Sequence, residues 1–178
     1  MFPRSTFSIA RRMCATVVIS SLAGASVNAG SRPASLRGRD TEALERARAG
    51  AARRLGTPEC QKVLSDFRDA EGRTLLESLK TWQLGAPDYL HEITFADGSS
   101  IRNCQNTSVP LATSPGLQVV YVCPAGIAVG GSRFAQIEIR NSSLAEFMVI
   151  HEMLHTLGLG ENPPSTFEIT DRVKRRCR

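Results

Sequence analysis

Apolar positions recur at helical spacing in several parts of the chain. Leu75, Leu76, Leu79 and Trp82 form one stripe in TLLESLKTWQLG, and Gly85 closes the predicted helix. Such a stripe reads as core rather than as a ligand site. Ile169, Val173 and Cys177, at i, i+4 and i+8, predict a C-terminal helix. It opens at Ser165 with Glu168 three residues on, the S-x-x-E pattern of a capping box. NSSLAEFMVIHEMLHTLG offers a second such box, Ser143 with Glu146, before an apolar run that Gly158 stops. DTEALERARAGAARRLG predicts a helix with Asp40 as N-cap and Gly56 as its stop. PECQKVLSDF predicts a short one with Pro58 in its first turn.

Other stretches carry strand patterns. YLHEITF alternates and is rich in β-formers; Asp97-Gly98 then signals a hairpin turn into SSIRNC. Leu117 to Cys123, after the Pro115-Gly116 turn, has the strongest strand pattern, and Arg133 to Ile139 predicts another strand at a sheet edge. PAGIAVGGS lacks the lysine and the strand-to-helix context of a phosphate loop and reads as a mobile loop. The fold class expected is α+β: a small domain with a short mixed or antiparallel sheet, a site-bearing helix and a C-terminal helix.

Composition adds boundaries. The 178 residues, 42% hydrophobic and 22% charged, suit one domain with a core. Residues 1–29 have a basic start (Arg4, Arg11, Arg12), an apolar run from Met13 to Ala25 and a small-residue end at Ala29. That is the layout of a secretory signal peptide, with an apolar run too short for a good membrane span. The expected locale is therefore secreted or periplasmic, with no stable membrane insertion after cleavage. The three arginines of this leader account for three of the five net positive charges, leaving +2. A nucleic-acid partner is not expected at that charge. Residues 30–57 read as a basic linker and helix, a candidate pro-segment. Arg46, Arg48, Arg53 and Arg54 there form a solvated face or a contact for an anionic surface. The compact domain is expected over residues 58–178. Beyond the leader the cysteines are Cys60, Cys104, Cys123 and Cys177, an even number that in an exported chain predicts two disulfides. The favoured pairing is Cys104–Cys123, clamping neighbouring strands, and Cys60–Cys177, tying the first core helix to the last.

The chemistry lies in HEMLHTLGLGENPP. On a helix, residues i and i+4 share a face about 5–6 Å apart at Cβ, so His151 and His155 can turn both imidazoles to one ion. Glu152, one step round, can reach a zinc-bound water without binding zinc. Zinc lowers the pKa of that water and the glutamate takes its proton. Two of the three histidines in the chain occupy this spacing. The HEITF stretch at His91 starts alike but lacks the second histidine.

H-E-x-x-H is the signature of the zincin metallopeptidases, and with Gly158 the extended pattern H-x-x-x-H-x-x-G resembles the metzincins. The stretches HTLGLGENPPSTFEIT, RVKRRC and DFRDAEGRTL are also similar to secreted bacterial proteins described as metallopeptidases, over about Cys60 to Cys177. The resemblance implies a small zincin-like catalytic domain holding one Zn2+ per chain. His151 and His155 are two ligands. In that family the turn at the glycine, here Gly158, brings a third, and Glu161 stands where metzincins usually place histidine. His91, Glu168 and Asp171 are the other candidates. His91 falls in a distant strand pattern, Glu168 has a capping role with Ser165, and Asp171 lies within the last helix; Glu168 would be the ligand in a gluzincin-like arrangement. No methionine follows Met153, so the floor of the site is expected from elsewhere, the last helix being one source.

The expected activity is that of a secreted zinc peptidase with Glu152 as general base and a protein or peptide substrate held along an edge strand, Arg133 to Ile139 being the candidate. Tyr121 and Arg133 are candidates for stabilising the oxyanion. Two alternatives stand beside it: a peptidase of peptidoglycan cross-links, and a non-catalytic secreted protein that keeps zinc to brace its fold. The second has no need of Glu152.

Overall fold

A computed structural model describes residues 35–36, 38–105, 109–124 and 131–178. The signal-peptide expectation and most of the glycine-rich loop lie outside these residues. In chain order the elements are α1 (Arg39–Leu55), α2 (Pro58–Gln61), α3 (Val63–Asp66), α4 (Leu75–Lys80), α5 (Ala86–Glu92), β1 (Thr94–Asp97), α6 (Arg102–Gln105), β2 (Leu111–Ala112), β3 (Val119–Val122), α7 (Arg133–Arg140), α8 (Ser142–Thr156) and α9 (Thr166–Arg176). The class is α+β, mostly helical, with one small mixed sheet.

The core begins earlier than residue 58. Ala43, Leu44, Ala47, Gly50, Ala51 and Leu55 recur every three or four residues on α1, and all are buried. They face α5, α7 and α8. The helix thus packs within the same compact unit as residues 58–178. Gly50 lies against Glu146 of α8, whose side chain a Cβ there would meet. Three of its arginines have specific partners, contrary to the expected solvated face. Arg46 grips Glu138 of α7 through two nitrogens, at 3.0 and 2.7 Å. Arg48 donates to the Leu90 and His91 carbonyls and lies over Phe95. Arg54 bonds Glu146, Ser143 and the Cys177 carbonyl. The N-cap position belongs to Gly38, and Asp40 instead accepts from the backbone N–H of Ser132 at 2.6 Å.

The sheet order is β1-β3-β2, with β1 parallel and β2 antiparallel to β3. The expected hairpin is absent among the described residues. Asp97 accepts from the backbone N–H and hydroxyl of Ser99, turning the chain into helical α6 rather than into a returning strand. Cys104 is therefore on a helical turn, and its disulfide with Cys123 ties α6 to the end of β3 instead of joining two strands. Cys60–Cys177 joins α2 to the end of α9, as expected.

Of two strand expectations, Arg133 to Ile139 is a helix, and YLHEITF divides between the end of α5 and the start of β1 at Thr94 and Phe95. Ala86, Tyr89 and Leu90 are buried on α5, a helical spacing that starts after Gly85 with Pro87 in the first turn. This places His91 on a helix, exposed. In Arg133 to Ile139 the alternation of Ala135, Ile137 and Ile139 misleads. Ser132 caps the segment by accepting from the Ala135 N–H at 3.1 Å, and Phe134, Ala135 and Glu138 face inward from α7 while Ile139 is exposed. Trp82 lies beyond the end of α4 and is 46% exposed, its ring against Tyr89. The Ser143–Glu146 box does not form, because Asn141 caps α8 through the Leu144 N–H and Glu146 turns to Arg54. The Ser165–Glu168 box does form.

Candidate metal centre

Helix α8 carries the site because it is packed on nearly every side. Val149 through Leu157 are all buried, between α1, α7 and α9 and the sheet. Burying His151, Glu152 and His155 in such surroundings costs free energy unless each polar group has a partner. The ring nitrogens facing away from the site have them. His155 Nδ1 lies 2.7 Å from the Leu159 carbonyl and His151 Nδ1 lies 3.0 Å from Thr170 Oγ1 of α9. A carbonyl can only accept, so His155 carries a hydrogen on Nδ1, and in the neutral ring Nε2 is left as a lone pair. The Thr170 hydroxyl can accept from His151 in the same way.

Both Nε2 atoms then point to one place, 3.0 Å apart. Glu161 completes the group: its Oε1 lies 3.4 Å from His155 Nε2 and 3.8 Å from His151 Nε2. The donor atoms of His151, His155 and Glu161 all fall within 4.8 Å of one another, and the group could hold a metal ion. Thr166 at the start of α9 donates to Glu161 Oε1 at 2.6 Å and fixes the carboxylate. Among the other candidates for third ligand, Glu168 accepts from the Ser165 N–H and hydroxyl, both at 2.8 Å, and Asp171 pairs with Arg175. His91 stands on α5 and is not in the group.

The turn that delivers Glu161 depends on Gly158. Its φ of +105° is in the region that favours glycine, and a Cβ would stand 3.0 Å from that of Asp69. The Leu159 N–H bonds the Leu154 carbonyl and the Gly158 N–H that of His155, closing the helix. Asp69 itself is buried and anchors the loop facing this turn: it accepts from Ser78, from the Arg73 side chain and from the Glu71 and Arg73 backbone. Burial opposes its charge, but the bonds from Ser78 and Arg73 outweigh it and hold the carboxyl below its ordinary value.

Burial, then the neighbouring His155, lowers His151 to about 4, with Glu161 opposing. Burial and then the Glu161 carboxylate push Glu152 up to about 8. A cation held by these donors would offset the repulsion from Glu161.

His151, Glu152, His155 and Glu161 line a pocket of about 370 Å³ whose other walls include Asn103 of α6, Val109, β2 and Pro115. The Gly116 N–H bonds the His155 carbonyl at 2.9 Å, which pins the turn after β2 to the end of α8. Tyr121 and Arg133 are not among the lining residues; the neutral polar groups there are Asn103, Thr113 and Thr166. Thr170, Thr166 and the Leu159 carbonyl had no signal in the local sequence, since their roles arise from α9 and the Gly158 turn folding back on α8. No family model, curated protein or solved structure matches the chain.

Proposed function

We propose that this protein is a zinc-dependent peptidase. The observation that carries the reading is the convergence of His151 Nε2, His155 Nε2 and Glu161 Oε1 beside a buried Glu152, in one pocket. Two neutral imidazoles and one carboxylate suit zinc in ligand type and in number for a site with an open position. Thr170 and the Leu159 carbonyl supply the outer hydrogen bonds that orient metal-ligating histidines. Bound there, zinc would polarise a scissile carbonyl and acidify water.

The remaining chemistry belongs to the chain. The Glu152 carboxylate takes a proton from the attacking water and delivers it to the leaving amine. Its burial raises its basicity, and a cation on the neighbouring donors would bring it back toward the ionised form that accepts a proton. β2 ends the sheet order and lines the pocket, so it replaces Arg133 to Ile139 as the edge along which an extended substrate adds. Two disulfides accord with an exported protein, and no helix among the described residues is long and apolar enough to cross a membrane.

The test is zinc titration of the purified chain with a peptide-library digest, for wild type and Glu152→Gln. We expect one zinc per chain in both, and hydrolysis reduced roughly 10²–10⁴-fold in the variant. Equal hydrolysis by both would remove Glu152 from the mechanism. Stoichiometric zinc with no cleavage by wild type would instead favour a non-catalytic zinc protein.

A further inference from the structure

Every described residue lining the metal pocket outside α8, Glu161 and Thr166 comes from one stretch of chain, Asn103 to Pro115. The two sides of the pocket are held by different means. α8 is packed among α1, α7 and α9, and the Thr170 hydroxyl and the Leu159 carbonyl fix its histidines. The facing stretch has less to hold it. α6 is four residues long and β2 two. A helix that short closes too few hydrogen bonds to offset its nucleation, and two paired residues make a marginal strand. Leu111 anchors β2 in the core, Thr113 donates to the Val119 carbonyl at 2.6 Å, and the Gly116 N–H reaches α8. These contacts secure the Leu111 to Gly116 end. The Asn103 end is tied by a crosslink.

That crosslink is Cys104–Cys123, which joins α6 to the residue after β3 across 19 positions. The fold is built closely around it. Gly98, between β1 and α6, donates its N–H to the Val122 carbonyl at 3.0 Å, and a Cβ on it would stand 2.5 Å from Cys104 Sγ. The Cys123 N–H bonds the Pro110 carbonyl at 2.9 Å, so the sulfur bridge, the end of β3 and the entry to β2 meet at one place. Such a crosslink acts mainly by removing open conformations of the chain it encloses, and here that chain is the second side of the pocket. Thr170, Leu159 and Thr166, which orient the metal donors, all lie outside it. The other disulfide, Cys60–Cys177, sits at the end of α9, the helix that supplies Thr166 and Thr170. The two bonds thus serve opposite sides of the site.

We infer that oxidation of Cys104 and Cys123 completes the polypeptide-binding side of the pocket. With both thiols reduced, the chain keeps its metal donors assembled, but α6 is not fixed to the sheet and polypeptides bind weakly. This rests on the peptidase reading above and adds to it the regulation of the site. The oxidant is a small-molecule disulfide, the class to which oxidised glutathione belongs. One cysteine thiolate attacks it, forms a mixed disulfide and expels one thiol; the second thiolate attacks the protein sulfur of that mixed disulfide and expels the other. Two electrons pass from the cysteines to the oxidant, whose S–S bond becomes two thiols that take up the two protons the cysteines lose. Cys104 is 3% and Cys123 0% exposed, so the finished bond is shielded from reductants. The device therefore acts once, on entry to an oxidising compartment, rather than as a reversible toggle. A chain not yet oxidised carries metal without a competent substrate site.

The experiment uses the full chain, loaded with zinc, as wild type, Cys104→Ala/Cys123→Ala and Cys104→Val/Cys123→Ala, the last refilling part of the lost sulfur volume. Both variants keep Cys60–Cys177. Zinc content, amide hydrogen exchange and the kinetics of peptide hydrolysis are measured on each. We expect one zinc per chain throughout and unchanged exchange over residues 149–156. Exchange at positions 101, 104 and 123 should quicken roughly tenfold or more. KM is expected to rise roughly tenfold or more while kcat changes less than about threefold, the pattern of lost binding rather than lost chemistry. A bond that only braced the fold would leave both constants as they are in a folded variant. Wild-type kinetics in both variants, a fall in kcat at constant KM, or loss of zinc would each overturn the inference. So would failure of both variants to fold, since the bond would then hold the whole domain. Wild type refolded in glutathione buffers of stepped ratio supplies the redox arm. Hydrolysis at low peptide concentration should track the Cys104–Cys123 fraction found by peptide mapping, and tracking of Cys60–Cys177 alone would refute the assignment. If wild type cleaves nothing, the peptidase reading fails, and the exchange and zinc arms still judge the crosslink. Loosening confined to residues 98–105 and 123 with zinc kept supports it; uniform or absent loosening refutes it.

Discussion

Glu161 and Glu168 are seven positions apart and do different work. Glu161 has its oxygen 3.4 Å from His155 and is steadied by Thr166. Glu168 accepts two hydrogen bonds from Ser165, and those bonds lower its carboxyl pKa. Removing Glu161 leaves two imidazoles, too few to hold zinc tightly; removing Glu168 frays the start of α9. Glu161→Ala is therefore expected to lose bound zinc on dialysis while keeping its fold. Glu168→Ala should retain one zinc per chain with a small drop in Tm. Metal analysis and thermal melts of the two variants check this, and the reverse pattern would transfer the ligand role to Glu168.

At the level of elements, α9 supports the site from behind. It offers Thr170 to His151, and α9 is itself tied to α2 and α3 by Arg176 with Asp66 and Glu59 and by the disulfide at Cys177. Thr170→Val keeps the shape but removes the hydroxyl, so His151 loses its orienting partner. Zinc affinity is expected to fall roughly 10–100-fold, read by competition with a chelator, and Thr170→Ser should restore most of it. Unchanged affinity in the valine variant would make the contact incidental. The Asp69 loop opposite Gly158 supplies a pH test. Its folded-state pKa lies below the ordinary 3.8. The stabilisation it gives is thus present above that ordinary value and is lost as pH falls through the lowered one. Asp69→Asn should be less stable than wild type at pH 7, and the gap should narrow at pH 2–3 in urea melts. A gap that is constant with pH would show that the charge contributes nothing.

For the molecule as a whole, α1 and the long-range disulfide close the structure. Deleting residues 1–57 would strip Leu44, Ala47, Ala51 and Leu55 from the core and expose α8, the helix that bears the site. We expect no cooperative unfolding transition and no zinc retention from that fragment; a folded, more active one would give residues 30–57 a pro-segment role. Cys60–Cys177 spans 117 residues. Closing a loop of that order contributes about 4.7 kcal/mol by chain entropy, so the Cys60→Ala/Cys177→Ala pair should lower stability by several times the effect of a surface substitution.

Much of this was legible locally. The i, i+4 spacing of His151 and His155, the glycine stop at 158 and the box at Ser165 are short-range patterns, and local geometry alone realises them. An even cysteine count implied two disulfides, and the favoured pairing forms, although Cys104–Cys123 ties α6 to β3 rather than two strands. Where an element owes its form to a distant partner, local pattern misled. Arg133 to Ile139 alternates like a strand, yet Glu138 faces Arg46 from 92 residues away and the segment is a helix. The arginines of α1 look like a solvated face until α5, α7 and α8 supply their acceptors. Sequence determined that His151, Glu152 and His155 lie together on one helix, because that follows from side-chain type and helical spacing; Glu161 is read from the likeness to the metzincin pattern. Only the tertiary structure decided what surrounds them: the Thr170 hydroxyl behind His151, the apolar wall along β2, and the burial that tunes Glu152. Those depend on chain segments brought together in space, which no local spacing encodes.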